Sequence, residues 1–430
     1  MGIKNLKIIL DRFAKNSVVM RHLSYYTNKK LAIDTSIFLY KYMYNFSSCY
    51  TGFIQQLVKL RRFGIIPVYI FDGKPPKEKN EAIRQRREKK EQYQNRKNEI
   101  ENIIEKKRKK IKQKENKVAE ENEQRNELNK EDNNNVNNNN VNDNNVNDNN
   151  VNDNNENEND NNEEDNNKTI DELNHEIFEL EDEHGKVKKK IIYVTNEIVN
   201  NLQEIMRAMG VSYYVANGEA DVLCCELMKR GIVDGCISED SDILVNGGKC
   251  LIKKFNLMND YVCEYSLELI LEQLNFTYDQ FIDLCILCGS DYNVKIPGVG
   301  GITAYRQIKD YGNIEGLVSN GKYDIPEDFD YQQVRNLYKE SNMNINEEEF
   351  QVNFIKSSNY ALWQRVLEKN NITLDYSIER LVGSIFFADI VKKLAKVGEN
   401  GSNVKNSSNK KPKQSIINLF EQLQEQEKKE

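Results

Sequence analysis

The chain has 430 residues, of which 38% are hydrophobic and 30% charged, with a formal net charge of −7. That length allows one large domain or two smaller ones, and the polar balance places part of the chain outside any packed core. No apolar run reaches the roughly 18 residues that a membrane-spanning helix needs, so a soluble protein is expected.

The first segment alternates strand and helix signals. Lys30 to Ile33 is a short apolar run ending at Asp34, followed by a helical stretch, SIFLYKYMYNF. Residues 52–63 carry apolar positions at helical spacing, and IIPVYIF (65–71) is a buried-strand run ending at Asp72. Strand, helix and strand with short joints predict a parallel α/β sheet. Residues 77–117 read as a charged helix with few apolar anchors, and 132–167 as an Asn/Asp/Glu tract with a near-repeat of VNDNN. Such a tract buries too little to offset its ordering entropy. Folded character is expected to resume near Lys188, with an amphipathic helix over 191–210, a strand VSYYVA (211–216) and a helix over 219–230. GCIS (235–238) and DILV (242–245) are read as framing a strand edge, 276–289 as a helix, and 297–310 as a Gly-rich turn into a helix. Beyond Gly398 the chain is polar until QSIINLF.

The net charge conceals an asymmetry. Residues 118–185 hold 22 acidic and three basic side chains, a net of −19, so with −7 for the whole chain the remainder carries +12. A basic folded part suits a polyanionic partner. The eight cysteines are scattered, and no apolar leader core follows Lys4 and Lys7, so reduced thiols and no secretory leader are expected. Cys285 and Cys288 fit C-x-x-C but read as buried helix positions, and Cys224 and Cys225 as small core residues.

The acids carry the chemistry. Asp34 and Asp72 directly follow apolar strands; Glu219 and Asp221 open a helix after VSYYVA; Asp240 and Asp242 follow GCIS; Asp291 follows LCILCGS. In an open parallel sheet the C-terminal strand ends line one crevice, which predicts that these seven converge. Taken alone, an Asp after a strand is most often a helix N-cap, and Glu219 a first-turn charge. Together they would repel unless cations lay between them. Oxygen ligands select Mg²⁺ or Mn²⁺, and two such ions about 4 Å apart stabilise the attacking and leaving oxygens of phosphodiester hydrolysis. With histidine only at His22, His175 and His184, a zinc site or a histidine base is disfavoured.

AIDTSIFLY (32–40), YIFDGKPP (69–76), ANGEADVLC (216–224), SEDSDIL (238–244), LCILCGSDY (284–292) and IPGVG (296–300), in this order, resemble the flap endonuclease branch of the structure-specific 5′ nucleases, the xeroderma pigmentosum G/Rad2-type family. The Met1-Gly2-Ile3 start and IPEDF (325–329) look like it too, and the resemblance covers roughly 1–95 and 188–395. It implies a twisted, mostly parallel sheet flanked by helices, a PIN-like nuclease core, with a helical arch and a helix–two-turn–helix that grips duplex DNA. The organisation it implies is a nuclease region and the start of the arch over 1–98, a charged Asn-rich insert in the arch over 99–187, an internal nuclease region over 188–310, a C-terminal helical part of the core over 311–397, and a tail over 398–430.

By the same resemblance, Asp34, Asp72, Glu219 and Asp221 match one group of metal-binding acids, and Asp240, Asp242 and Asp291 the other. Asp221 is one methylene shorter than the Glu of many cellular members. Lys79 and Arg86 match basic residues at the start of the arch that hold the scissile phosphate. Tyr40 matches an aromatic on which an unpaired base stacks, and Gly2 an N-terminal residue close to the DNA. Gly298, Gly300 and Gly301 let backbone N–H groups approach phosphates, in a loop that also binds K⁺ in the family. Gln414, Ile417 and Phe420 fit a sliding-clamp box whose second aromatic is replaced by Glu421. The implied activity is Mg²⁺-dependent, two-ion cleavage of 5′ flaps, with 5′-3′ exonuclease activity, in replication and repair. The implied setting is a monomer in the nucleus, or in a viral replication compartment, with branched DNA as partner and no membrane. Two alternatives stay open: a related 5′ exonuclease, repair-bubble or junction endonuclease, and a catalytically inactive relative that binds nucleic acid.

Overall fold

In the computed structural model, residues 2–46, 48–134, 168–339 and 358–374 are described, with a few further positions up to residue 386. They form two units, Met1–Ile83 with Tyr193–Glu430, and Arg84–Ile192. The first unit opens with α1 (Leu6–Phe13), β1 (Val18–His22), β2 (Lys30–Asp34), α2 (Thr35–Asn45), α3 (Cys49–Arg62) and β3 (Ile66–Phe71). The helix α4 (Asn80–Asn134) starts there and runs into the second unit, which also holds α5 (Ile170–Lys188). The first unit resumes with α6 (Asn196–Ala208), β4 (Ser212–Val215), α7 (Ala220–Lys229), β5 (Gly235–Ile237), α8 (Asp242–Val245), β6 (Cys250–Lys253) and β7 (Tyr261–Ser266). It continues with α9 (Leu267–Leu274), α10 (Tyr278–Cys288), α11 (Gly301–Tyr311), α12 (Ile314–Ser319), α13 (Tyr331–Lys339) and α14 (Tyr360–Lys369).

The seven strands make one sheet in the order β1-β7-β6-β5-β2-β3-β4. The run β6-β5-β2-β3-β4 is parallel, and the β6–β7 and β7–β1 pairs are antiparallel. The sheet is mostly parallel, as expected, with an antiparallel edge. Because side chains alternate along a strand, each central strand feeds two cores. Ala32, Val68, Ile70, Cys236 and Leu251 face a core shared with α1, α7, α9, α10 and α11. Leu31, Ile33, Tyr69, Phe71, Ile237 and Ile252 face another shared with α2, α3, α6 and α14. Cys285, Cys288, Cys224 and Cys225 lie buried in the first of these cores, as read from their spacing.

Several local expectations change. DILV forms the single turn α8 rather than a strand edge, because Asp242 starts a helix immediately after the loop from β5. The helix expected over 191–210 begins at Asn196, where the Thr195 side chain accepts from the Ile198 N–H as its N-cap. Strands β1, β6 and β7 were not anticipated.

The stretch ahead of Lys188, where folded character was expected only to resume, already holds the helix α5 from Ile170. Thr169 and Glu172 form a reciprocal capping box at the start of α5. Leu173, Ile177 and Val187 are buried with Ile100, Ile104 and Ile111 of α4. Ion pairs flank this seam: Lys107 Nζ to Glu176 Oε2 at 2.6 Å, Arg108 to Glu181 at 2.6 Å and Arg96 to Glu183 at 3.0 Å.

Candidate metal centre

Strands β5, β2, β3 and β4 are parallel neighbours, so their C-terminal ends open on one edge of the sheet. Asp34 is the last residue of β2, and Asp72 follows β3 directly. The loop after β4 leads to Glu219, the N-cap residue of α7, with Asp221 in that helix's first turn. The loop after β5 carries Asp240 and leads into Asp242, the first residue of α8. Asp291 follows the C-terminus of α10.

Close backbone approach sets part of this layout. A Cβ at Gly73 would lie 1.9 Å from the Ala216 carbonyl oxygen, and the Gly73 N–H donates to the Gly218 carbonyl at 2.7 Å. The contact holds Asp72 against the loop before α7, where its Oδ1 accepts from the Ala220 N–H at 2.8 Å. Asp34 Oδ2 accepts from the Ser238 hydroxyl at 2.8 Å, joining β2 to β5. Asp240 Oδ1 accepts from the Asp242 N–H at 3.0 Å.

Burial, reinforced by the charge of Asp72, pushes the Asp34 carboxyl up to about 7. Burial and Glu219 raise Asp221, with the ammonium of Lys79 opposing. Burial and Asp240 raise Asp242, again against Lys79, with Asp291 and Glu219 adding to the rise. These interactions link all seven acids into one group. Asp242 Oδ1 is buried with no hydrogen-bond partner among the described residues, an unfavourable state for a carboxylate unless a cation is supplied.

One cation comes from the chain itself. Lys79 Nζ lies 2.5 Å from Glu219 Oε1, and both side chains are largely buried. Burial works against its charge, but Asp221 and Glu219 outweigh it and hold the ammonium above its ordinary value. The other Glu219 oxygen accepts from the Tyr292 hydroxyl. A cavity of about 480 Å³ opens beside Glu219, lined in part by Lys74, Asn246, Tyr292 and Gln333.

The carboxylate donor set, its buried charge and the orphaned Asp242 oxygen fit hard divalent cations. Among the described residues, no three His, Cys, Asp or Glu side chains are close enough together to ligate one ion directly.

Comparison with known proteins bears on the same residues. The XPG N-terminal domain matches residues 1–93, and the XPG I-region matches 210–291. All seven acids lie within those two ranges. The chain thus carries matches to both XPG regions, the N-terminal domain followed by the I-region. The flap endonuclease 1 of Glycine max is 27% identical over 398 residues, 87% of this chain and 84% of that protein. The flap endonuclease 1 of Naegleria gruberi is 28% identical over 366 residues, 79% and 73% of the two chains. The solved flap endonuclease-1 of Methanococcus jannaschii superposes with a TM-score of 0.52 at 19% identity, covering 87% of this chain and 97% of that one, a likeness of fold.

The remaining expected XPG-family positions fall in different places. Gly2, with φ +83°, packs against the second group of acids: a Cβ there would lie 1.9 Å from Asp240 Oδ1 and 2.8 Å from Asp242 Oδ1. Tyr40 is 41% exposed on α2. Gly298 (φ +78°) and Gly300 are exposed with open space around them, and Gly300 is the N-cap residue of α11. Gly301 is buried, where a Cβ would come within 2.8 Å of the Asn5 side chain, so its missing side chain serves the packing of α11 beside α1. Arg86 is exposed on α4, in the second unit. Gln414, Ile417 and Phe420 lie outside the described residues. Tyr292 and Ser238 were not singled out from sequence. Tyr292 stood within the quoted CGSDY string, but an aromatic after an acid carries no periodic signal of its role.

Proposed function

We propose that this protein is a structure-specific 5′ flap endonuclease that hydrolyses a phosphodiester at the junction of a single strand with a duplex. The observation that carries this reading is the set of seven carboxylates at one edge of a parallel sheet, with Lys79 reaching among them. Asp34, Asp72, Glu219 and Asp221 would hold one divalent ion, and Asp240, Asp242 and Asp291 a second. When bound, Mg²⁺ or Mn²⁺ would activate water and neutralise charge on the reacting phosphate. Lys79 and Arg86 would add positive charge at that phosphate. Gly2, pressed against Asp240, would border the strand being cut, and Tyr40 would stack an unpaired base. The exposed backbone at Gly298 and Gly300 would meet duplex phosphates and hold K⁺.

The proposal extends to a monomer working in nuclear DNA replication and repair, supported by the basic cluster Lys410-Lys411-Pro412-Lys413. A sliding clamp would bind through Gln414, Ile417 and Phe420. The test compares end-labelled double-flap, blunt duplex, bubble and four-way-junction DNA in Mg²⁺. Preferred incision at the flap junction supports the reading. Preference for the blunt end, the bubble or the four-way junction would reassign the chain to another activity of the XPG family.

A further inference from the structure

We infer that Tyr292 is a positioning residue that ties the two groups of metal-binding acids to each other through Glu219. The inference rests on the metal reading above and deepens it.

Glu219 has two carboxylate oxygens, and different chain segments engage each. Oε1 faces the ammonium of Lys79 at 2.5 Å, and Oε2 accepts from the Tyr292 hydroxyl. Lys79 is a charged group that substrate phosphate would compete for; Tyr292 is neutral and stays in place. Its backbone N–H donates to the Ser290 hydroxyl at 3.3 Å, and its ring meets the buried Tyr338 edge-on, with centroids 5.6 Å apart. Tyr292 adjoins Asp291, an acid of the second group, while its hydroxyl reaches Glu219 of the first. One dipeptide therefore spans both groups, and its rigid ring limits how far Glu219 can move from Asp291. Tyr292 also lines the cavity beside Glu219, so losing its hydroxyl would leave that carboxylate free to swing into the opening.

Partners that orient metal ligands cost about 10–100-fold in metal affinity or activity when removed. Tyr292→Phe keeps the ring, the Tyr338 contact and the volume, and deletes only the hydrogen bond. A purely structural Tyr292 would tolerate that change; a positioning Tyr292 would not. Mn²⁺ titration of the DNA-free protein by calorimetry should show binding weakened about 10-fold in Tyr292→Phe, with thermal stability in chelator unchanged. The Mg²⁺ concentration for half-maximal cleavage of double-flap DNA should rise by a similar factor, and binding of that DNA in Ca²⁺ should stay at the wild-type level. Wild-type Mn²⁺ affinity in the Phe variant overturns the inference. Absence of flap cleavage by the wild type itself would instead remove the function on which it rests.

Discussion

The Ser238 hydroxyl donates to Asp34 Oδ2 at 2.8 Å, binding the C-terminal ends of two neighbouring parallel strands through a buried acid of the site. Asp34 is 5% exposed, and burial together with Asp72 raises its carboxyl from the usual 3.8 to about 7. A carboxyl raised on folding contributes stability that is complete below its unfolded value and is lost as pH rises through its folded value. In chelator, Asp34→Asn should therefore be more stable than wild type at pH 8, with the advantage shrinking toward pH 5. Thermal melts across that range, with and without Mg²⁺, check this. Mg²⁺ should stabilise the wild type at pH 8 more than the variant.

Lys79 stands where its charge offsets Glu219 and Asp221. Lys79→Ala should slow single-turnover flap cleavage by roughly 10²–10³-fold, the range for losing one positioned electrostatic contact in a transition state. The same change frees Glu219 Oε1, so the DNA-free variant should bind Mn²⁺ more tightly than wild type. Slower cleavage with weaker Mn²⁺ binding would place Lys79 in a structural role.

Gly2 combines a left-handed backbone with the closest approach to the second group of acids. Gly2→Ala would drive a methyl against Asp240 and Asp242. Displacing reacting groups by about 1 Å costs on the order of 100-fold in rate. Flap cleavage should fall accordingly, with a melting temperature close to wild type because α1 and its buried Leu6, Ile9 and Leu10 are untouched. Unchanged cleavage would remove Gly2 from the site.

Arg335 on α13 makes two hydrogen bonds of 2.8 Å to the buried Asp283 of α10 and reaches Glu315 of α12 at 2.8 and 3.0 Å. Removing one partner of a buried ion pair costs about 3–5 kcal/mol because a charge is left without compensation. Arg335→Ala should lower unfolding free energy by that amount in urea titration. The double variant Arg335→Met, Asp283→Leu should recover much of the loss. A neutral Arg335→Ala would mean that Asp283 is adequately compensated by the Ile314 N–H alone.

The parallel centre of the sheet and its acids were legible because each signal was local. Apolar runs ended at Asp34 and Asp72, and each later acid followed its own strand or helix signal. The strands β6 and β7 were not, since CLIK and YVCEYS are short and only partly buried, and the outer partner of β7 is β1, far back in the chain. Helix α5 was obscured by composition: Leu173 and Ile177 are apolar positions among acidic residues, and their value appears only against Ile100 and Ile104. The role of Tyr292 depends on Glu219, 73 positions away, a separation that no local pattern reports. Gly301 resembled its glycine neighbours in sequence, and only the approach of Asn5 separates its packing role from theirs.

Two-metal flap cleavage is tested most directly with a labelled double-flap DNA in Mg²⁺, cut by wild type and by Asp240→Ala, with binding measured in parallel in Ca²⁺. Incision at the junction by the wild type, lost in the variant while DNA binding persists, is the predicted result. Tight junction binding without cleavage by the wild type, in Mg²⁺ or in Mn²⁺, would contradict it and leave a nucleic-acid-binding protein that does not cut.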